Sequence, residues 1–438
     1  MSDAVYAVLA VIVCVLQIAN VAAEQLDDRA LQGWRDNLSL NMPFYVLETE
    51  QGVKDDSIFN PQNRLAELPQ SQLEIQLRPD LFYTQGRYLA SVKPRAVFTI
   101  TGMDGLNEDT ELDSDFYVNE AQLRMSFGRS LFLSVNREVL QWGPSMFISV
   151  SNPFFFDNGR SNPYKELGGR DFVKAIYIFD SNWTLSLIDN FDTGREPDPL
   201  NDFHKIYASK LDYVGDSFSA SVILSRAENE NNRLGGYSQY TVSDGLLMYA
   251  EASFSRGSSG YYPVPSTNSI GWEMAQSRAN INDTQSLILG GLSYTLQSGS
   301  TIYLEYLFNE EGYTAEETAR YYALGESASQ AFISSAADAD LAAGELFRAS
   351  YPRIRMIGRN YLFVQYLWPD PYGNYDFSLR FTKNLGDNSS QWVSTFAWSV
   401  SDRTKLFALG LVNDGDEKSD FGRYQRYIAM LGVTIYIR

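Results

Sequence analysis

Cysteine, histidine and long apolar runs are almost missing from this chain of 438 residues. Cys14 and His204 are the only residues of their kinds. A disulfide framework and cysteine metal sites are thereby excluded, and so is a zinc site built on two or three histidines. Basic residues are also scarce, with 35 Lys and Arg against 54 Asp and Glu, a net charge of −19. That balance excludes a basic, phosphate-binding surface and argues against nucleic acid as a partner. No Gly-rich phosphate loop occurs. Beyond residue 18 no stretch approaches the roughly 20 apolar residues of a membrane helix.

What remains is rich in aromatics, 14% of the chain, with 28 tyrosines. The first residues, "MSDAVYAVLAVIVCVLQIANVAAEQ", have the form of a secretory signal peptide spanning 1–23. An apolar core runs from Val5 to Ile18, and Val21 and Ala23 stand at −3 and −1 before Glu24. The leader departs from the usual pattern in lacking Lys or Arg ahead of the core, where Asp3 stands instead. A membrane anchor is the competing reading, disfavoured by the short core and small-residue end. Cys14 falls inside this leader, and Val13 before it is too bulky for a lipoprotein cleavage box.

The body of the chain alternates. In "LEIQLRPDLFYTQGRYLASVKPRAVFTI" (73–100), Leu73, Ile75, Leu77, Leu81 and Tyr83 share one face. Glu74, Gln76, Arg78 and Asp80 share the other. After Gln85-Gly86, Tyr88, Ala90, Val92, Ala96, Phe98 and Ile100 oppose Ser91, Lys93, Arg95 and Thr99. Such period-two patterning marks amphipathic strands joined by a tight turn. The same reading predicts eighteen strands. They lie near 42–49, 71–84, 87–102, 116–127, 130–142, 171–180, 183–192, 203–213 and 216–227. Nine more follow near 236–241, 246–256, 284–297, 301–310, 358–369, 373–384, 391–400, 404–413 and 423–437.

Connections alternate between tight turns, such as "DSN" at 180 and "SDG" at 243, and longer segments, such as 143–170 and 311–357. An outer-membrane barrel has this asymmetry, with short periplasmic turns and long outside loops. The expected fold is therefore all-β: a transmembrane antiparallel up-and-down barrel over 42–438, with 24–41 as a periplasmic N-terminal segment. Aromatics end several outward rows (Tyr83, Tyr88, Trp183, Tyr306, Phe308, Tyr366, Trp368, Tyr375), as rings favour the membrane–water interface. Pro79 and Pro94 fall mid-strand, where each removes a ladder donor, so a bulge or broken ladder is expected at both.

A barrel of this size turns its second row towards a watery lumen. Arg78, Lys93, Arg95, Glu120, Arg124, Lys174, Asp376 and Arg380 are then pore-lining candidates, with Lys210, Asp212, Glu251, Glu305 and Gln365 behind them. A solvated wall without a particular ligand is the plainer reading of the same residues. The segment 136–172, "NREVLQWGPSMFISVSNPFFFDNGRSNPYKELGGRDF", is crowded with aromatics, Asn-Pro pairs and glycines. So many rings need burial, either by folding into the pore or by packing over its top. Its bases, Arg137, Arg160, Lys165 and Arg170, join the candidates. The Ala-rich stretch 314–347 is helix-prone and suits a lid, a plug or a surface loop. The acidic loop 103–115 matches no EF-hand spacing, and lipopolysaccharide contact or solubility accounts for it better than a metal site.

Arg137, then Trp142-Gly143-Pro144, then Asn152-Pro153, resemble a segment of Gram-negative outer-membrane barrels of the alginate-export and capsule-assembly type. The resemblance implies passage or surface handling of sugars or acidic polysaccharides, with Arg137, Arg160, Lys165 and Arg170 touching anionic substrate. The mixed charge of the expected lumen departs from a pore for uronic-acid polymers. The last strand, "YIAMLGVTIYIR", looks like a C-terminal signal for the barrel-assembly machinery, although Arg438 stands where an aromatic is usual. The expectation is a Gram-negative outer-membrane porin passing small hydrophilic solutes, sugars or anionic sugar derivatives foremost. It needs no cofactor, and its partners are lipid, lipopolysaccharide and the assembly machinery. Export or anchoring of an acidic polysaccharide is the alternative. A hydrolase using His204 lacks a nucleophile motif to support it.

Overall fold

The computed structural model describes residues 37–102, 110–159, 162–196, 203–228, 232–276, 283–334, 337–370 and 372–437. The leader, most of the expected N-terminal segment and Arg160 lie outside these. The chain opens with β1 (Leu38–Val53), β2 (Ser71–Leu77), β3 (Asp80–Gln85), β4 (Tyr88–Gly102) and β5 (Thr110–Phe127). Next come β6 (Leu131–Glu138), β7 (Arg170–Ile178), β8 (Trp183–Asp192) and β9 (Ile206–Val214). They are followed by β10 (Phe218–Ala227), β11 (Asn232–Ser243) and β12 (Leu246–Arg256). A small separate hairpin, β13 (Tyr262–Pro265) and β14 (Trp272–Ala275), precedes β15 (Thr284–Thr295) and β16 (Thr301–Asn309). Two helices, labelled here α1 (Ala315–Ser334) and α2 (Ala339–Ser350), lead to β17 (Asn360–Pro369) and β18 (Tyr375–Asn384). The chain ends with β19 (Ser390–Ser401), β20 (Thr404–Asp414) and β21 (Gln425–Ile437).

Apart from the small hairpin, neighbouring strands pair antiparallel, and β21 returns to β1 with Val46 opposite Val433. The sheet is thus a closed barrel of eighteen staves with one extra strand. The extra strand arises at Pro79. The expected strand 71–84 is broken there into β2 and β3, and both halves pair with β1 and β4. At Pro94 the β4–β5 register slips between Lys93 and Pro94. Both prolines therefore act as their missing N–H requires.

Register fixes which residues share a face. Leu133, Val135, Leu187, Leu224 and Leu431 are outward and exposed, as hydrocarbon-facing residues are. Trp183, Tyr240 and Tyr294 mark the short-turn end of that band, each beside or close to a turn. Among the described residues no helix is long and apolar enough to cross a membrane.

The boundaries differ in places. β1 begins at Leu38, ahead of the expected start at 42. β6 stops at Glu138 rather than 142, and β11 reaches from 232 to 243 where only 236–241 was expected. Part of the expected loop 103–115 is strand, since β5 starts at Thr110.

Candidate functional site

The aromatic-rich segment after β6 enters the barrel. Its first contact is with the far wall. Glu305 on β16 accepts hydrogen bonds from Ser145 Oγ (2.8 Å), the Met146 N–H (2.6 Å) and the Tyr249 hydroxyl (2.6 Å). Glu251 on β12 accepts from Ser149 Oγ (2.6 Å), the Ser151 N–H (2.9 Å) and Ser151 Oγ (2.6 Å). Exposure of these carboxylates is 0% and 1%, so water has been displaced from both, and hydrogen bonds from the loop and Tyr249 take its place on every oxygen but Glu251 Oε2. Gly143 shows how closely the loop approaches. Its φ is +83°, and a Cβ there would lie 2.5 Å from Glu251 Oε2. Only glycine suits that conformation and that gap.

Apolar packing completes the contact. Phe147, Ile148 and Val150 of the loop join inward-facing Leu287, Leu289, Leu307, Tyr361 and Phe363 in one buried cluster. Phe154 and Phe155 join Phe172, Ile188 and Ala208 near the loop's origin. Arg355 clips the loop from above, donating to the Ser149 carbonyl (2.8 Å) and the Asn152 carbonyl (2.6 Å).

The loop then reaches a third stretch of wall. Tyr164 stacks on Phe407 of β20 with ring centroids 3.7 Å apart. The Tyr164 carbonyl accepts from Arg78 (2.7 Å), whose guanidinium lies over the Tyr45 ring. Glu166 receives a bidentate pair from Arg95, both at 2.7 Å. Arg95 also donates to Asp80 (3.0 Å) and to the Pro79 and Pro94 carbonyls, the two proline irregularities. The broken ladders thus free backbone oxygens that this arginine takes up. The loop returns to the wall through the Leu167 carbonyl, held by Asn119 (3.0 Å). The described parts of the segment, 139–159 and 162–169, are therefore tied to β12 and β16, to β20 and the break between β2 and β3, and to β4 and β5.

The sequence-predicted residues divide accordingly. Arg78 and Arg95 bind the loop rather than facing open water. Arg380 is 7% exposed, with its guanidinium over the loop's Phe147 ring. Arg170 lies over Phe155, also of the loop. Lys93 pairs with Glu120 at 2.8 Å, Lys174 with Glu138, Lys210 with Asp212, and Asp376 with Lys405 at 3.2 Å. Arg124 points inward beneath these, over the Phe132 ring, with Nε buried and lacking a hydrogen-bond partner. Lys165 is exposed. One expectation is corrected: Arg137 does not line the pore. Strand alternation puts it on the outward side with Leu133 and Val135, and it forms a bidentate pair with Asp171 at the rim (2.7 and 2.8 Å). The reason is phase: β6 is continuous through Glu138, which faces inward to Lys174, so its neighbour must face out.

Sequence reasoning placed Glu251 and Glu305 inward but missed what they hold. It left the helix-prone stretch 314–347 open between a lid, a plug and a surface loop, and did not see what that stretch packs against. The helix α1 starts in a Thr314–Glu317 capping box and packs with α2, the β13–β14 hairpin and Phe59 around a buried cluster. Phe59 stacks on Tyr321 at 4.4 Å. Arg423 fastens this lid to the β20–β21 connection, donating to Tyr321 (2.9 Å) and Asp420 (2.9 Å). Tyr361 of the wall also donates to Asp420 (2.5 Å). Burial raises the Asp420 carboxyl pKa above its ordinary value, and Arg423 beside it offsets only part of that rise. His204 precedes β9 at the long-loop end, and Asp202 lies outside the described residues. No acid–histidine–cysteine cluster able to hold a metal occurs among the described residues.

No family model matches the chain, and no curated protein matches it in sequence. Solved structures do resemble it. Acinetobacter baumannii OccAB1 is 11% identical, with a TM-score of 0.53 over 92% of this chain and 97% of that one. Pseudomonas aeruginosa OpdK with vanillate is 9% identical, with a TM-score of 0.52 over 92% and 100%. Pseudomonas aeruginosa OprD is 9% identical, with a TM-score of 0.50 over 92% and 96%. The fold is that of an outer-membrane porin barrel.

Proposed function

We propose that this chain is a Gram-negative outer-membrane channel through which small hydrophilic solutes diffuse, and that the inward segment 139–169 sets its bore. The observation that carries this reading is the segment's attachment to three parts of the wall by Glu305, Glu251 and Arg95. A loop held that way narrows a passage without needing a moving part or a cofactor. Paired charges on β4–β9 give a passing solute alternate donors and acceptors in place of its water, which is how pore walls select.

Small anionic or sugar-like solutes suit the wall best. Lys93, Arg95, Lys174 and Lys210 are already balanced by carboxylates, so a solute carboxylate competes for a site rather than meeting a bare positive field. The OpdK structure is one with vanillate, which is a carboxylate. A polysaccharide export pore is less well supported, because an inserted loop and a lid reduce the bore. Liposome swelling tests the proposal. Monosaccharides and small organic acids are expected to enter, and oligosaccharides to be excluded. Failure of every small solute to enter rejects the channel reading.

A further inference from the structure

We propose that the open edge of β5, above the rim of the barrel, takes an extended basic peptide segment of another protein as an added strand. On one side β5 pairs with β4 from Thr110, opposite Gly102, down to Met125, opposite Tyr88. On the other side β6 joins it only at Ala121, opposite Arg137. Among the described residues no strand pairs with β5 on that side between Thr110 and Glu120. The outward Arg137–Asp171 ion pair stands at the rim, so this stretch rises beyond it. Ser114 gives its N–H to Asp113 Oδ1 (2.8 Å) rather than to β4. Alternate residues of an antiparallel strand bond to opposite sides, so the backbone groups of Leu112, Ser114 and Phe116 face the open side. Such a row of donors and acceptors is a template for another strand.

The side chains of this edge define the strand it accepts. On the outer face Leu112 and Phe116 are 72% and 77% exposed, more than any other large apolar side chain of the described strands. The inner face carries Glu111, Asp113 and Asp115. Asp115 meets Arg195 at 2.9 Å, and the same guanidinium lies over the Tyr117 ring at 3.9 Å. The chain's own arginine thus displays the contact that an incoming base would repeat. Glu111 and Asp113 are exposed and meet no base among the described residues. A strand of alternating basic and apolar residues answers both rows at once. Its bases lie beside Glu111 and Asp113, and its apolar side chains lie beside Leu112 and Phe116. A second copy of β5 fits less well, because antiparallel pairing sets acids beside acids on the inner face.

Fluorescence anisotropy of the detergent-purified barrel tests this, with a labelled octapeptide of alternating Lys and Val as the probe. The probe is expected to bind. Its Glu–Val counterpart and a fully N-methylated copy, which has no N–H to donate, are expected not to. Hydrogen exchange at 111–117 should slow when the probe is bound. E111Q/D113N is expected to weaken binding by about fivefold or more, the effect of losing two exposed ion pairs. Ser114→Pro keeps every acid and loses only an N–H on the open side, and it should lower binding to the level of the N-methylated copy. Unchanged single-channel conductance checks that both variants keep the barrel. Equal binding of the probe to Ser114→Pro and to the unaltered protein, or of the probe and its N-methylated copy, means attraction by charge alone and overturns strand addition. A purified barrel that is dimeric, and that Ser114→Pro makes monomeric, overturns the basic partner in favour of a second copy.

Discussion

The two halves of the barrel interior solve the problem of inward-facing charge differently. Along β4–β9 the inward row is polar, and its cations come with carboxylates: Lys93 with Glu120, Lys174 with Glu138, Lys210 with Asp212. Along β12–β17 the inward row carries buried leucines, with Leu287, Leu289 and Leu307 at 1% exposure or less. The two carboxylates there, Glu251 and Glu305, are answered by loop hydroxyls and N–H groups instead of by cations. The first half balances much of its charge within the wall, and the second balances it against the loop. An amphipathic barrel strand therefore does not imply a wet lumen at every stave. It implies only that the inward row is not lipid.

The largest effect expected from breaking this contrast is at Arg95. Arg95→Ala removes five hydrogen bonds at once and leaves Asp80 without its arginine and Glu166 with only Arg78 at 3.7 Å, at a cost of about 3–5 kcal/mol. The loop end at Tyr164–Glu166 should come loose, read as a lower unfolding temperature and noisy, enlarged conductance steps. Phe59→Ala removes the ring on which Tyr321 stacks and should cost the lid about 3 kcal/mol or more. Hydrogen exchange across α1 and α2 should rise while the barrel strands stay protected. Glu305→Gln keeps the shape but gives the loop a weaker acceptor, at about 1–3 kcal/mol. Exchange at 143–151 should increase, and at 164–167 it should not.

Lys93→Gln belongs to the half that balances its charge within the wall and is expected to behave as a partly exposed pair does, costing about 1 kcal/mol or less. Its signature is a reversal potential shifted towards cation preference, since Glu120 is left unopposed. The smallest expected effect is pH dependence of the lid. Asp420 has a folded pKa raised by burial above the ordinary 3.8. Its contribution is therefore fully present below that value and is lost as pH rises through the higher folded value. Protection factors in 415–424 should be greater near about pH 4 than at neutral pH, and Asp420→Asn should flatten that difference.

Much of the wall was legible because hydrocarbon enforces it. A misplaced charge on the outward face is penalised, so phase can be read from Leu73 to Ile437, and the two prolines announced their own irregularities. The interior was less legible. The run "SLILGGLSY" is apolar on both faces, a sign that its inner face meets protein, yet alternation alone does not say which protein. Strand ends were also weakly encoded. Reading β6 on to 142 hid the exit of the loop at Glu138, and the choice of Arg137 as a candidate rested on its segment and on resemblance, not on strand phase. The lid was visible only as helix propensity, because its core draws on Phe59, Tyr262, Tyr313 and Leu346, which are far apart in the chain.

Planar-bilayer recording reaches the central claim most directly. The intact protein should give small, steady openings, and replacing 143–158 with a short Gly-Ser bridge should enlarge them several-fold. Equal conductance with and without that segment would mean that it does not govern the bore.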